Sequence, residues 1–162
     1  MKEYTTKPFE CFDKDWALVT AGNMEDYNTM TISWGSMGTL WSKPIVTIYV
    51  KPIRYTYQFL EENDYFTISF FPDDYKKDLG ILGSQSGRDG DKVSLTQLTL
   101  KQLKEGVTFK EATKTIVCKK IYYQDLDIQN IPDKAIEKYY EKEEPHRMYI
   151  GEVIDIIEKE FI

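Results

Sequence analysis

Asn28-Thr29-Met30-Thr31-Ile32-Ser33-Trp34 alternates strictly between small polar and large apolar residues, the period-two signature of a strand buried on one face. Met30, Ile32 and Trp34 fall on the apolar face, while Thr29, Thr31 and Ser33 form a row of hydroxyls on the other. A hydroxyl row of this kind can line a polar ligand site. Upstream, Trp16-Ala17-Leu18-Val19-Thr20 reads as a strand closed by Gly22-Asn23. Downstream, a glycine-bearing turn at Gly35-Ser36-Met37-Gly38 leads to the β-branched run Pro44-Ile45-Val46-Thr47-Ile48-Tyr49-Val50, which stops at Lys51-Pro52. Residues 54–63 place Tyr55, Phe59 and Glu62 on one stripe with Asn63 as a cap, predicting a short helix, and Tyr65 to Phe71 follows as a strand. Pro72-Asp73-Asp74 starts a second helix that carries Tyr75, Leu79 and Leu82 on one face and ends at Gly83. Two late strands, 115–123 and 148–157, flank a third helix around Asp133 to Tyr140. Strands at short spacing, with three brief helices that do not alternate with them, predict a mainly β barrel with helical decorations rather than a doubly wound sheet.

A length of 162 residues with 41% hydrophobic content suits one domain over residues 1–162 and supplies a real core. The net charge of -6 speaks against a general nucleic-acid binder, which needs clustered Lys and Arg to neutralise phosphates. No apolar stretch approaches the roughly 20 residues of a spanning helix, and Met1 to Thr6 lack the apolar region of a signal peptide. The expectation is a cytoplasmic protein with no membrane partner. Cys11 and Cys118 sit in unrelated contexts and suggest neither a disulfide framework nor a zinc site. The twelve Tyr and three Trp suit an interface or a planar ligand as well as a core.

Lys51-Pro52-Ile53-Arg54-Tyr55-Thr56 joins a strand to a helix start, bringing the Arg54 guanidinium and the Thr56 hydroxyl beside backbone N–H groups that have no partner inside the helix. This combination fits a terminal phosphate monoester, although an Arg at a helix start also serves simply to solvate it. Ser86-Gly87-Arg88-Asp89-Gly90-Asp91-Lys92 is a turn-former that offers a hydroxyl, two cations and glycine-exposed backbone donors to an anion, or else forms a solvated loop. Lys92-Val93-Ser94 breaks the order of a calcium loop. His146, the only histidine, follows Pro145 and belongs to no metal-binding or nucleophile pattern; it reads as structural. No pair of carboxylates stands out as an acid and a base, and Glu141-Lys142-Glu143-Glu144 reads as a solvated surface. No metal site is expected.

The order of these blocks resembles the flavin reductase-like family of FMN-binding split barrels, which includes flavoredoxin. The residues that carry the resemblance are Asn28 to Gly35, Trp41-Ser42-Lys43-Pro44, Lys51 to Thr56 and Ser86 to Lys92, with Glu111-Ala112, Cys118-Lys119 and His146 to Val153 fitting the later half. The resemblance implies a homodimer with FMN near the subunit interface. It implies that Asn28, Thr29, Met30, Thr31, Ser33 and Trp34 hold the ring edge, and that Arg54, Tyr55 and Thr56 hold the phosphate. Ser86, Gly87, Arg88 and Lys92 would lie over the ribityl chain or the pyrimidine, where the Lys92 charge favours reduced flavin. It further implies that NADH or NADPH gives up hydride transiently in the flavin cleft, since no Gly-x-Gly-x-x-Gly dinucleotide fingerprint is present. Electrons would pass on to a flavin, a metal or a protein partner. No catalytic side chain is required, because hydride moves between stacked rings that the protein only has to hold. Two other readings share the fold: a non-enzymatic FMN-binding electron carrier or flavin store, and a barrel like pyridoxamine-phosphate oxidase, for which no second phosphate site is evident.

Overall fold

The computed structural model describes residues 3–159. The alternating segments form strands β1 (Ala17–Gly22), β2 (Tyr27–Ile32), β3 (Gly35–Leu40), β4 (Lys43–Val50) and β5 (Tyr65–Phe70). The short pair β6 (Leu100–Gln102) and β7 (Val107–Phe109) makes a separate hairpin, and the long strands β8 (Lys114–Asp125) and β9 (Arg147–Glu158) complete the set. Helix α1 (Tyr55–Glu62) links β4 to β5, α2 (Lys76–Ser84) follows β5, and α3 (Lys134–Glu137) lies between β8 and β9. The fold is mainly β, as the spacing predicts. No described helix is long and apolar enough to cross a membrane.

Seven strands form one antiparallel sheet in the order β2-β1-β5-β8-β9-β4-β3. β2 and β3 therefore stand at opposite edges, yet only Ser33 and Trp34 separate them in the chain. The sheet has to curl until its two edges meet at that link. Because the edges are not hydrogen-bonded to each other, the barrel stays open along a slit. Inside it, Val19, Ile48, Phe66, Ile68, Ile116, Cys118 and Tyr149 pack as one cluster that α1 extends with Phe59 and Leu60.

The outer face is covered too, and this encloses part of the expected hydroxyl row. Leu18, Leu79, Leu82 and Phe109 form a second cluster between the sheet, α2 and the β6–β7 hairpin. Of the hydroxyl row, Thr29 ends up in this second layer, away from the cleft, while Thr31 bonds α2 and still borders a basin. Thr29, fully buried, shares a hydrogen bond with Thr20 at 2.9 Å and donates to the Val19 carbonyl, while Thr31 donates to the Leu79 carbonyl at 2.5 Å. An alternating strand has one polar face in sequence, but a covering helix turns that face into a second interior. β2 also ends at Ile32, so Ser33 and Trp34 belong to the link.

The segment expected as a turn at Gly35 to Gly38 is the strand β3. Gly35 is required by close packing, since a Cβ there would lie 3.0 Å from the Phe12 ring. The turn comes later, at Trp41-Ser42, both with positive φ (52° and 57°), as a two-residue hairpin of this twist needs. At the far end of α1, Glu61 accepts hydrogen bonds from Tyr149 at 2.6 Å and Arg147 at 3.0 Å, which ties the helix to β9. Cys11 and Cys118 are both buried and free.

Candidate functional site

β4 stops because Pro52 lacks an N–H for the ladder. The chain turns through a hydrogen bond from Arg54 N–H to the Lys51 carbonyl at 3.0 Å, and Arg54 stays extended at φ -72° and ψ 137° as α1 begins. No side chain caps that helix start and no acidic residue stands in its first turn. Thr56, buried, accepts a hydrogen bond from Asn28 Nδ2 at 2.8 Å, which fixes α1 against β2. Asn63 closes the helix as predicted, with its backbone N–H and its Nδ2 both donating to the Phe59 carbonyl.

Opposite this start runs the segment from the end of α2 to Lys92. Gly87 approaches so closely that a Cβ there would meet Asn28 Oδ1 at 2.2 Å and the Tyr55 ring at 2.9 Å. The Arg88 guanidinium donates to the Ile53 carbonyl at 2.9 Å and lies over the Tyr55 ring. Lys92, only 6% exposed, donates to the Leu82 and Gln85 carbonyls at 3.0 and 3.1 Å and so caps α2. Burial, reinforced by the neighbouring Arg54 charge, pushes its pKa down to about 8. Between these walls lies a basin of about 300 Å³ bordered by Asn28, Met30, Arg54, Tyr55, Thr56, Ser86, Gly87, Arg88 and Lys92. Three cations border it against one carboxylate, Glu143, so its field favours an anion.

A second basin of about 230 Å³ continues from the first across Met30 and Arg54, which border both. It is lined by Thr31, Ile32, Ser33, Trp34, Tyr49, Lys51 and His146, at the slit between the sheet edges. Trp34 is 44% exposed and lies against His146 and the edge of Tyr139, each ring pair 5.4 Å apart. His146 shares a hydrogen bond with Tyr140 at 2.9 Å. Burial pushes the His146 pKa down to about 4, aided by the Lys51 and Arg54 charges, so the ring is neutral near pH 7.

Of the residues picked out in the sequence, those bordering the two basins come together; Thr29 does not, because its side chain is buried against Thr20 and the Val19 carbonyl of β1. The local pattern gives no ligand role to Tyr49, Lys51, Glu143 or His146, which also border the basins. The signal for Lys51 and His146 is the pairing of Val50 with Arg147, which sets their neighbours side by side. Among the described residues, no group of three or more His, Cys, Asp or Glu could hold a metal ion.

Two expected results follow from this geometry. Gly87→Ala should weaken binding of a phosphate-bearing ligand by about 1–2 kcal/mol, since the added methyl pushes the 86–88 turn off Asn28; ligand titration beside a urea midpoint checks that the loss is local. For His146, the folded pKa lies below the unfolded value near 6.5. Its contribution to stability is therefore full above about pH 6.5 and is lost as the pH falls toward 4. Urea midpoints between pH 4.5 and 7 should fall more steeply for the wild type than for His146→Gln, and parallel curves would remove this coupling.

A cationic basin joined to an aromatic one suits a planar heterocycle carrying a phosphate. Known structures share this architecture. An FMN-binding protein from Thermus thermophilus, solved with p-hydroxybenzaldehyde, is 21% identical over 99% of this chain and 83% of its own, with a TM-score of 0.72. Flavoredoxin of Desulfovibrio vulgaris (Miyazaki F) is 21% identical over 99% of this chain and 78% of its own, TM-score 0.71. The styrene monooxygenase flavin reductase of Pseudomonas putida S12 is 16% identical over 90% and 80%, TM-score 0.67. No curated protein matches the sequence significantly. The model of the flavin reductase like domain matches residues 9–161, nearly the whole length, and the chain belongs to that family.

Proposed function

We propose that the joined basins hold FMN and that the protein is an oxidoreductase of the flavin reductase-like type, passing electrons from NADH or NADPH to a flavin, metal or protein acceptor. The observation that carries this reading is the continuity of the cationic basin with the aromatic one across Arg54 and Met30. The residues present fit the cofactor at both ends. Arg54, the uncapped start of α1 and the Ser86 to Arg88 turn suit the phosphate. Met30, Trp34 and Tyr49 suit the flat ring system. When bound, FMN supplies the hydride and electron chemistry, which no side chain of this chain offers. The protein's own part is to hold and orient, to keep His146 neutral, and to set charge around the ring. Lys92, expected at the pyrimidine, borders the phosphate end instead, its ammonium held by the Leu82 and Gln85 carbonyls, so in this reading its charge acts on the phosphate.

The reading includes a homodimer, for which the exposed Trp41, Tyr122 and Tyr123 offer an apolar surface. A second reading, a non-enzymatic FMN-binding electron carrier or flavin store, is favoured by the packing of Trp34 and His146, which line the second basin, with Tyr139 against Trp34, a crowding that would narrow the approach of a nicotinamide. One experiment separates the two. Protein mixed with FMN and passed through gel filtration should retain flavin absorbance, and anaerobic NADH or NADPH should bleach it. Retained flavin that stays oxidised with both nucleotides supports the carrier; loss of all flavin on the column overturns both.

A further inference from the structure

No residue between 126 and 145 is buried, which sets this stretch apart from the barrel. Its outer part, 127–145, leaves the sheet and returns through a neck where the Leu126 N–H donates to the His146 carbonyl at 3.0 Å. The loop is tied to the cleft by a few contacts. Lys51 donates to the Tyr139 carbonyl at 3.0 Å and to Glu143 at 2.6 Å, the Tyr139 ring meets Trp34 edge-on, and Tyr140 shares a hydrogen bond with His146 at 2.9 Å. A segment with an exposed body, a closed neck and few ties can swing with little disturbance of the core.

Glu143 is the point where this loop enters the chemistry. It is the one carboxylate bordering the first basin, with Arg54, Arg88 and Lys92 on the same walls. The hydrogen bond and charge of Lys51, with the Arg54 charge behind them, hold its carboxyl below the usual carboxylate range, so it is ionised at neutral pH. Any phosphate gripped by Arg54 has to share a basin of about 300 Å³ with this negative charge. Glu143 is paired with Lys51, outside this basin, so a phosphate held at Arg54 meets the carboxylate as a like charge at short range.

Resting on the FMN reading, we infer that Glu143 is a like charge facing the ligand phosphate, and that the 127–145 loop is latched through Glu143 and Lys51 and released when a phosphate monoester at Arg54 repels the carboxylate. The loop thus reports occupancy of the phosphate basin: binding the anion at Arg54 and opening the Glu143–Lys51 latch are coupled. By linkage, weakening the latch strengthens binding.

The test is a fluorescence titration of FMN onto the wild type, Glu143→Gln and, as a control charge change on the same loop, Glu141→Gln. It is paired with limited trypsin digestion, which reads cleavage at Lys134, Lys138 and Lys142 with and without saturating FMN. The expected result is FMN affinity higher by about threefold to tenfold in Glu143→Gln, with Glu141→Gln within about twofold of the wild type. Saturating FMN should speed loop cleavage in the wild type, and Glu143→Gln should be cleaved fast even without FMN. Equal or weaker FMN binding by Glu143→Gln, or slower wild-type cleavage with FMN, overturns the inference while leaving the FMN reading intact, since the loop would then close over the ligand. If no form binds FMN, the FMN reading falls and takes the inference with it.

Discussion

Arg54→Ala is expected to weaken FMN binding by about 2–3 kcal/mol, a loss of roughly 30- to 150-fold in affinity, with little change in folding stability. The size follows from what the guanidinium offers: a charged fork beside a helix start that no side chain caps. The insensitivity of folding follows from its exposure. Arg54→Lys should recover only part of the affinity, because an ammonium keeps the charge and loses the paired geometry. Affinity should also fall as salt is raised in the wild type, and less steeply in Arg54→Ala. A titration in which Arg54→Ala matches the wild type would remove the phosphate from this end of the cleft.

The second large effect concerns the barrel interior. Gly151→Ala should lower folding stability by about 2–3 kcal/mol, measured by urea denaturation without FMN so that ligand linkage does not mask it. Gly151 lies in β9 opposite Val46 and Lys120. A Cβ there would come within 2.6 Å of both the Cys118 Cβ and the Phe66 ring. Cys118 and Phe66 are fully buried, so neither can yield toward solvent. Shortening the obstacle in the double variant Gly151→Ala, Phe66→Leu should restore part of the loss relative to Phe66→Leu alone. Strict additivity of the two changes would mean that the methyl and the ring never compete for the same space.

Much of this architecture is legible along the chain because strands and caps are local. The run 44–50, the Asn63 cap and the Pro72 helix start all stand where the pattern puts them. The misread elements have physical reasons. Gly35 and Gly38 look like turn punctuation, yet Gly35 is small because Phe12 packs over it, and strand β3 runs straight through both. Thr29 and Thr31 look alike in the alternation, yet Thr29 is buried against β1 and Thr31 bonds α2 at the rim of a basin, a difference periodicity within seven residues cannot announce. The same limit applies to the cleft. Arg54, Tyr55 and Thr56 are neighbours in sequence and could be read as a unit. Lys51, Glu143 and His146 meet only because β4 pairs with β9 about a hundred residues later, and Glu143 sits in a charge run that resembles any solvated surface.

The place of β9 in the sheet has a consequence for how the protein is made. This strand comes last in sequence but lies in the middle of the sheet, between β8 and β4. Until residues 147–158 have cleared the ribosome, β2-β1-β5-β8 and β4-β3 are two sheet fragments held only by the chain links at 33–34 and 51–64. The nascent chain therefore presents the edges of β8 and β4 unpaired until β9 arrives, the surfaces most prone to pairing with other chains. Closure waits on contacts between segments far apart in sequence, which slows folding. Both the interior and the junction of Lys51 with His146 are assembled in that final step, after translation of the barrel rather than during it.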